Sequence, residues 1–131
     1  MRTHDFELRN LKTGKDFAVA VSLQSEVWGK AFTDAVPAAL LRVVGYVGGV
    51  AVAAFTADGE LAGFVFVVSG VRDGRLVHWS DTLAVRGRYR DRGLGESLKR
   101  FQRELLLPLG IERMYWTFDP LESRNAHLNF N

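Results

Sequence analysis

The sequence predicts a mixed α/β domain of the α+β class, with a mainly antiparallel central sheet and one parallel strand–helix–strand unit. Two Asp-Gly pairs, at 58–59 and 73–74, separate three apolar runs. Asp-Gly between apolar runs is a strong hairpin signal. An Arg/Gly-rich turn, an amphipathic helix and an aromatic strand follow the third run. Because a strand, a crossover helix and a second strand form a right-handed parallel pair, the antiparallel meander is predicted to turn parallel at its last step.

Length and composition indicate one domain that spans residues 1–131, of which 47% are hydrophobic. The chain has no cysteine, which excludes a disulfide framework and a thiolate metal site. A net charge of +2 does not by itself indicate a nucleic-acid binder. The longest uncharged run is too short for a membrane span of about 20 residues, and the N-terminus lacks the apolar segment of a signal peptide. We therefore expect a cytoplasmic protein without a metal ion, a membrane anchor or a nucleic-acid partner.

The N-terminal third of the sequence predicts one strand and two helices. Asp5–Leu11 alternates weakly and is predicted to be the first strand. A broad apolar stripe along Phe17–Trp28 is typical of a helix packed on a sheet, and Gly29 is a suitable stop. Pro37 opens a second short helix, Ala38–Val44, because proline is favoured in the first turn.

The middle third of the sequence predicts the meander. Its strands are expected at Val50–Thr56, Leu61–Ser69 and Leu76–Val85. Gly63 lies inside the second strand, where a glycine indicates a β-bulge or a close approach of two backbones.

The helix after the Arg/Gly turn is amphipathic. Its apolar residues fall on one face at helical spacing: Leu94, Leu98, Phe101 and Leu105. Its charged residues are predicted to lie elsewhere: Glu96, Lys99, Arg100, Arg103 and Glu104. Pro108 and Gly110 end this helix, and the aromatic strand Met114–Phe118 follows.

The Arg/Gly turn predicts an anion site. The first N–H groups of a helix have no partner inside it, and the helix dipole places partial positive charge there. A phosphate satisfies both, glycines keep the backbone accessible, and four arginines add charge: Arg86, Arg88, Arg90 and Arg92. The alternative for the glycines is an ordinary strand–helix turn. The alternative for the arginines is a nucleic-acid patch, which the lack of interleaved aromatic residues beyond Tyr89 disfavours.

These residues resemble the GNAT superfamily of acyl-CoA-dependent N-acetyltransferases. The family motif is Arg or Gln, two residues, Gly, one residue, then Gly or Ala, and Arg90-Asp91-Arg92-Gly93-Leu94-Gly95 matches it fully. The segment 81–85 resembles the family's fourth strand, and Ser123–Phe130 resembles the start of the helix after its fifth strand. The resemblance implies a GNAT-like sheet with helices on both faces, in which the fourth strand, third helix and fifth strand form the parallel unit.

The resemblance also implies acetyl-CoA as cosubstrate and an amine acceptor of unknown identity. Leu83 and Val85 would pair through their backbone with the pantetheine arm, where the fourth and fifth strands splay apart. The amine would attack the thioester directly, while the protein positions the reactants, supplies a base and polarises the carbonyl. Seven backbone amides would hold the pyrophosphate: those of Arg90, Asp91, Arg92, Gly93, Leu94, Gly95 and Glu96.

Asp81 is the candidate catalytic residue. Period-2 alternation places it on one face with Trp79 and Leu83, and a carboxylate in an apolar strand is costly unless it has a partner. It is either the base or a contact for a cationic acceptor. The alternative is a structural carboxylate hydrogen-bonded to a neighbouring loop. His78 is interpreted as structural, and three tryptophans are interpreted as core residues: Trp28, Trp79 and Trp116.

The sequence departs from the family pattern in two ways. Phe130 stands where the family often has a tyrosine, the proposed acid for the leaving thiolate, and Ser123 stands where it often has asparagine. The family's last two strands, which complete the sheet and much of the acceptor pocket, are expected to be missing. The exposed sheet edge would then pair with another chain, for example in a homodimer.

Three functions therefore stay open. The first is an N-acetyltransferase that uses acetyl-CoA. The second is a module that binds an acyl-CoA, or an acyl-carrier thioester, without transfer, and Phe130 favours it. The third is a structural half that pairs with another chain through its sheet edge.

Overall fold

The computed structural model of the chain describes residues 2–3, 5–111 and 113–116. Within these residues, six strands form one sheet in which they lie side by side in chain order. Neighbouring strands are antiparallel except for the last two, which are parallel. The strands are β1 (Arg2–Thr3), β2 (Phe6–Asn10), β3 (Val50–Phe55), β4 (Leu61–Arg72), β5 (Arg75–Val85) and β6 (Met114–Trp116).

Three α-helices cover the two faces of the sheet in these ranges. α1 (Gly14–Trp28) and α2 (Ala38–Val44) pack on one face, and α3 (Leu94–Leu106) packs on the other. A capping box fixes the start of α1, because the Asp16 N–H donates to the Thr13 hydroxyl and the Thr13 N–H donates to the Asp16 carboxylate. None of the described helices is long and apolar enough to cross a membrane.

The two central strands are buried on both faces. Every residue of β3 and the first seven residues of β4, Leu61–Val67, are buried. One apolar cluster, which includes Phe64 and Phe66, packs against α1 and α2. The other, which includes Val65 and Leu98, packs against α3. These strands read as continuous apolar runs because neither of their faces meets solvent.

The predicted fold class is confirmed. The Asp-Gly pairs lie in the turns that join β3 to β4 and β4 to β5, and β5 and β6 form the parallel pair. The predicted first strand and first two helices are also confirmed. α1 begins earlier than its apolar stripe, at Gly14, because Thr13 caps it. Phe118 and the helix predicted from Ser123 lie outside the described residues.

Both features predicted for Gly63 are present. Between Ala54 and Phe55 the register of β3 with β4 shifts, which leaves Ala62 as the extra residue of a β-bulge beside Gly63. A Cβ atom on Gly63 would lie 2.9 Å from the Ala84 carbonyl oxygen, so the backbones of β4 and β5 approach closely at this glycine.

A second bulge lies in β5, where Asp81 is the extra residue. Thr82 lies opposite Phe66 and Ser80 lies opposite Val67, so no residue of β4 lies opposite Asp81. The simple alternation of side chains along β5 is therefore interrupted at the predicted catalytic position.

Because of this bulge, the prediction that Trp79 and Leu83 share a face is wrong. Ser80 contacts Lys99 of α3, and Leu83 belongs to the cluster that packs against α3. Trp79, the neighbour of Ser80, lies on the opposite face. Trp79 is 41% exposed, so its predicted core position is also wrong, whereas Trp28 is partly buried against the α1 cluster.

Replacing Gly63 with alanine is expected to destabilise the protein by about 1–3 kcal/mol, the usual cost of adding atoms to a packed site. The clash is with the Ala84 backbone, which cannot rotate away as a side chain does. Urea denaturation followed by circular dichroism measures the change.

Gly70→Ala is the matched control, because it lies in the same strand with nothing within 4 Å of the added Cβ. It is expected to change the free energy of unfolding by no more than about 0.5 kcal/mol. Equal losses in the two variants would contradict the close approach at Gly63.

Candidate functional site

The loop between β5 and α3 has an irregular backbone. A 3₁₀ turn, Gly87–Tyr89, follows β5. Asp91 and Gly93 then adopt positive φ angles of 63° and 73°. The Ser97 N–H donates to the Gly93 carbonyl over 3.0 Å, which is the first hydrogen bond of α3, and Gly93 provides no side-chain cap. The start of α3 is therefore left without a partner from the helix itself.

A row of six amides is available at this helix start. The N–H groups from Asp91 to Glu96 make no hydrogen bond to another residue in the described part of the chain. Unpaired amides and the positive end of the helix dipole together form an anion site. The Arg90 N–H differs, because it donates to the Gly87 carbonyl over 3.2 Å. Six of the seven predicted amides are thus free to meet a ligand.

Two of the four loop arginines already have acidic partners. An Arg86 guanidinium nitrogen lies 2.6 Å from a Glu26 carboxylate oxygen. Arg88 contacts both carboxylate oxygens of Glu60, and this hydrogen bond lowers the pKa of Glu60 below its usual value. The positive charge that the sequence predicted over the whole loop is therefore reduced at its first half.

The other two arginines lie closer to α3. The Arg90 Nε donates to the Val85 carbonyl over 3.4 Å. The Arg92 guanidinium lies over the Tyr89 ring, 5.7 Å from its centroid. No acidic partner holds either side chain within the described residues. Positive charge is thus retained next to the six amides.

The backbone of β5 presents Leu83 and Val85 at its outer edge. The Arg86 N–H donates to the Ala62 carbonyl of β4 over 2.8 Å, so the backbone groups at this position point towards β4. Because these groups alternate in direction along a strand, the N–H and C=O groups of Leu83 and Val85 point away from β4. This is the orientation that pairing with an added strand requires.

Parallel pairing between β5 and β6 is described up to the residue before Asp81. The register runs from His78 opposite Met114 to Ser80 opposite Trp116. Within the described residues no strand lies beside 81–85 on this edge. The structure therefore places Asp81 at a bulge of β5, next to the last described pair of β5 and β6.

Lys99 is a buried cation, although the sequence analysis placed it with the charged residues that lie away from the apolar face of α3. The residue is 8% exposed, and its Nζ donates to the Ser80 Oγ over 2.5 Å. Burial lowers the pKa of the Lys99 ammonium to about 7. The sequence contains a signal for this burial: Lys99, Gln102 and Leu106 have the i, i+3, i+7 spacing of one helix face, and all three are buried.

The contacts of His78 support its structural interpretation. The ring is fully buried, and its Nε2 lies 2.6 Å from the Gly48 carbonyl oxygen, so this nitrogen donates. Nearby in the register, buried Gln102 donates to the Met114 sulfur over 3.0 Å. These contacts tie β5 to the segment before β3 and tie α3 to β6.

Comparisons with solved structures identify the architecture. Neither a protein-family model nor a curated protein sequence matches the chain. A structure of the NatC complex bound to Gag peptide and CoA matches with a TM-score of 0.77 at 13% identity, over 95% of this chain and 81% of that chain. An aminoglycoside acetyltransferase from an uncultured soil metagenomic sample matches with a TM-score of 0.74 at 14% identity, over 93% and 82%. Glucosamine-6-phosphate N-acetyltransferase from Arabidopsis thaliana matches with a TM-score of 0.70 at 13% identity, over 98% and 92%.

The chain has the GNAT fold. Two of these three neighbours are acetyltransferases by name, and identities of 13–14% show a shared fold alone. In the GNAT numbering used for the resemblance, β5 is the fourth strand and β6 is the fifth, because β1 precedes them as an additional short strand. The loop that matches the GNAT motif is the loop that carries the six unpaired amides.

The buried Lys99 should make stability depend on pH. Its pKa is about 7 in the folded protein against an ordinary 10.5, so between these values the unfolded state binds the proton more than the folded state does. The destabilising effect of Lys99 is therefore complete below pH 7 and is lost as the pH rises towards 10.5. Lys99→Met removes this titration, so the stability advantage of the variant over the wild type should fall by up to about 1.4 kcal/mol per pH unit in this range.

Denaturant titrations across this pH range measure the effect. The matched control is Lys15→Met, which removes an exposed lysine from α1. A difference between the Lys99→Met variant and the wild type that stays constant with pH would contradict the buried, titrating lysine.

Proposed function

We propose that this protein is an N-acetyltransferase that moves an acetyl group from acetyl-CoA to an amine acceptor. One observation carries the proposal: the six unpaired amides at the start of α3 adjoin the edge of β5 beside which the described residues place no further strand. CoA contains a pyrophosphate, which suits the amides, and a pantetheine arm with amide groups, which suits a strand edge. The likeness of the fold to the structure of the NatC complex bound to CoA supports the same proposal.

Each part of the loop has a role in this proposal. The amides from Asp91 to Glu96 hold the pyrophosphate, and glycines at 93 and 95 let it approach the backbone. The Arg90 and Arg92 side chains add positive charge beside it. The backbone of Leu83 and Val85 pairs with the pantetheine arm, which directs the thioester towards Asp81.

The reaction is a direct attack of the amine on the thioester. The amine nitrogen forms a bond to the carbonyl carbon, the carbon–sulfur bond breaks, and the electron pair of that bond leaves with CoA as a thiolate. The nitrogen also loses a proton, for which we propose the Asp81 carboxylate as base. Its alternative role in the same reaction is to bind a cationic acceptor.

Asp81→Asn separates the two roles. Loss of a base should lower kcat by about 10²–10⁴-fold, the usual contribution of general acid–base catalysis. Loss of an acceptor contact should raise KM with a smaller change in kcat. Steady-state kinetics with an accepted amine measures both constants, and thermal melting of the variant identifies a structural carboxylate. Unchanged kcat and KM would contradict both roles.

A second function, binding of an acyl-CoA without transfer, is favoured by Phe130 in the sequence. The family tyrosine proposed to protonate the leaving thiolate has phenylalanine in its place, and phenylalanine has no proton to give. CoA binding without turnover in an amine screen would indicate this function. Pairing of the sheet edge in a homodimer stays a prediction, and a concentration-dependent mass in solution tests it.

Gly95→Glu tests the CoA site directly. Gly95 is the second residue of α3, where glutamate fits the helical backbone but places a carboxylate against the proposed pyrophosphate site. Repulsion between like charges should weaken acetyl-CoA binding at least tenfold, a change of about 1.4 kcal/mol or more. Isothermal titration of acetyl-CoA at fixed salt concentration measures the affinity.

Gly14→Glu is the matched control, because Gly14 is the first residue of α1 and has open space around its Cβ position. It is expected to bind acetyl-CoA as the wild type does. Equal binding by wild type and a folded Gly95→Glu variant would place CoA elsewhere. A well-folded wild type that binds no acetyl-CoA would overturn the proposed function.

A further inference from the structure

A cavity of about 640 Å³ opens at one end of β5. This end lies away from the loop between β5 and α3, residues 86–93, which we call the amide loop. Among the described residues, three arginines and one aspartate line it: Arg72, Arg75, Arg113 and Asp73. Arg72 and Arg75 lie opposite each other on the β4–β5 hairpin, and Arg113 immediately precedes β6. The surplus of positive charge suits a carboxylate or a phosphate, which guanidinium groups bind in a planar, bidentate manner.

Two stacked aromatic rings adjoin these arginines. The Trp79 and Tyr115 rings lie 5.9 Å apart between centroids at an interplanar angle of 16°. The Arg72 guanidinium lies over the Tyr115 ring, 5.2 Å from its centroid. The exposed side chain of Trp79 offers an apolar surface next to the cations, which suits a ligand with an apolar group and an anionic group.

This aromatic surface leads towards the proposed reaction centre. Trp79 is two residues from Asp81 in β5, about 7 Å along a strand that rises ~3.3 Å per residue. The His78 N–H donates to the Arg113 carbonyl over 3.5 Å, so Arg113 lies beside the part of β5 before His78. The distance from there to Asp81 is three to four residues, or about 10–13 Å.

We propose that this cavity holds the acceptor of acetyl transfer, and that the acceptor carries a carboxylate or phosphate about 10–13 Å from its reacting amine. The amine lies at Asp81, an apolar group lies against Trp79 and Tyr115, and the anion lies against Arg72 and Arg113. This assignment rests on the proposed function, which places the amine at Asp81. Polycationic amines are disfavoured because the arginines repel them.

A series of tetrapeptides tests the charge preference. An extended peptide rises ~3.3 Å per residue, so a side chain on the fourth residue has the required distance from a free N-terminal amine. The peptides are Ala-Phe-Gly-Glu, Ala-Phe-Gly-Gln and Ala-Phe-Gly-Lys with amidated C-termini, and a phosphoserine peptide separates phosphate from carboxylate. We expect kcat/KM to be about tenfold or more higher for the acidic peptide than for the neutral one, as for hydrogen bonds to charged groups.

The double variant Arg72→Gln, Arg113→Gln should abolish this preference. Arg100→Gln is the control for the loss of an arginine elsewhere, because it removes one positive charge from an exposed position of α3 outside the cavity. Calorimetric binding of each peptide is measured beside transfer. Acetyl-CoA binding in the double variant should match the wild type, because both arginines lie away from the amide loop.

The readouts separate this inference from the proposed function. Acetyl transfer without a preference for the acidic peptide, or a preference that persists in the double variant, would overturn this inference. Neither result would contradict the proposed acetyltransferase function. If no peptide is acetylated, the acceptor role is overturned. If the acidic peptide then still binds more tightly than the neutral one, and the double variant loses this difference, the cavity is an anion site that does not hold the acceptor.

Discussion

The burial of β4 on both faces is the constraint on which the rest of the structure depends. Seven consecutive buried residues, Leu61–Val67, require an apolar layer on each side. α1 and α2 supply one layer, and α3 supplies the other. The chain must therefore cross back over the sheet directly after β5. This requirement brings the uncapped start of α3 beside Leu83 and Val85, so the geometry of the site follows from the packing of the core.

Local signals predicted most of this fold because each has a local physical cause. Asp-Gly pairs favour tight hairpin turns, Gly29 ends a helix, and the apolar runs have no solvent face. Two features could not be predicted in the same way. The bulge at Asp81 depends on how two strands align, and the burial of Lys99 depends on which part of α3 meets Ser80. Both are decided by tertiary packing, and both lie at the candidate site.

The charge of the amide loop also depends partly on local sequence and partly on tertiary contacts. The sequence shows four arginines close together, yet it does not show that two of them meet glutamates from distant segments. Glu26 is 60 residues from Arg86, and Glu60 is 28 residues from Arg88. These ion pairs hold the first half of the loop against the rest of the domain. The second half of the loop, with Arg90 and Arg92, lies next to the unpaired amides, and its positive charge is available to bind a phosphate.

The order of the strands also has a consequence for how the chain folds. β3, β4 and β5 follow one another through tight turns, so their contacts close only short loops of chain. β2 must instead reach β3 from far along the sequence, since Glu7 lies opposite Phe55. Because the entropy lost in closing a loop grows with its length, we expect the meander to assemble early and the N-terminal strand to dock later. The site, which also needs α3 in place, would then be completed only after the meander exists as a surface to pack against.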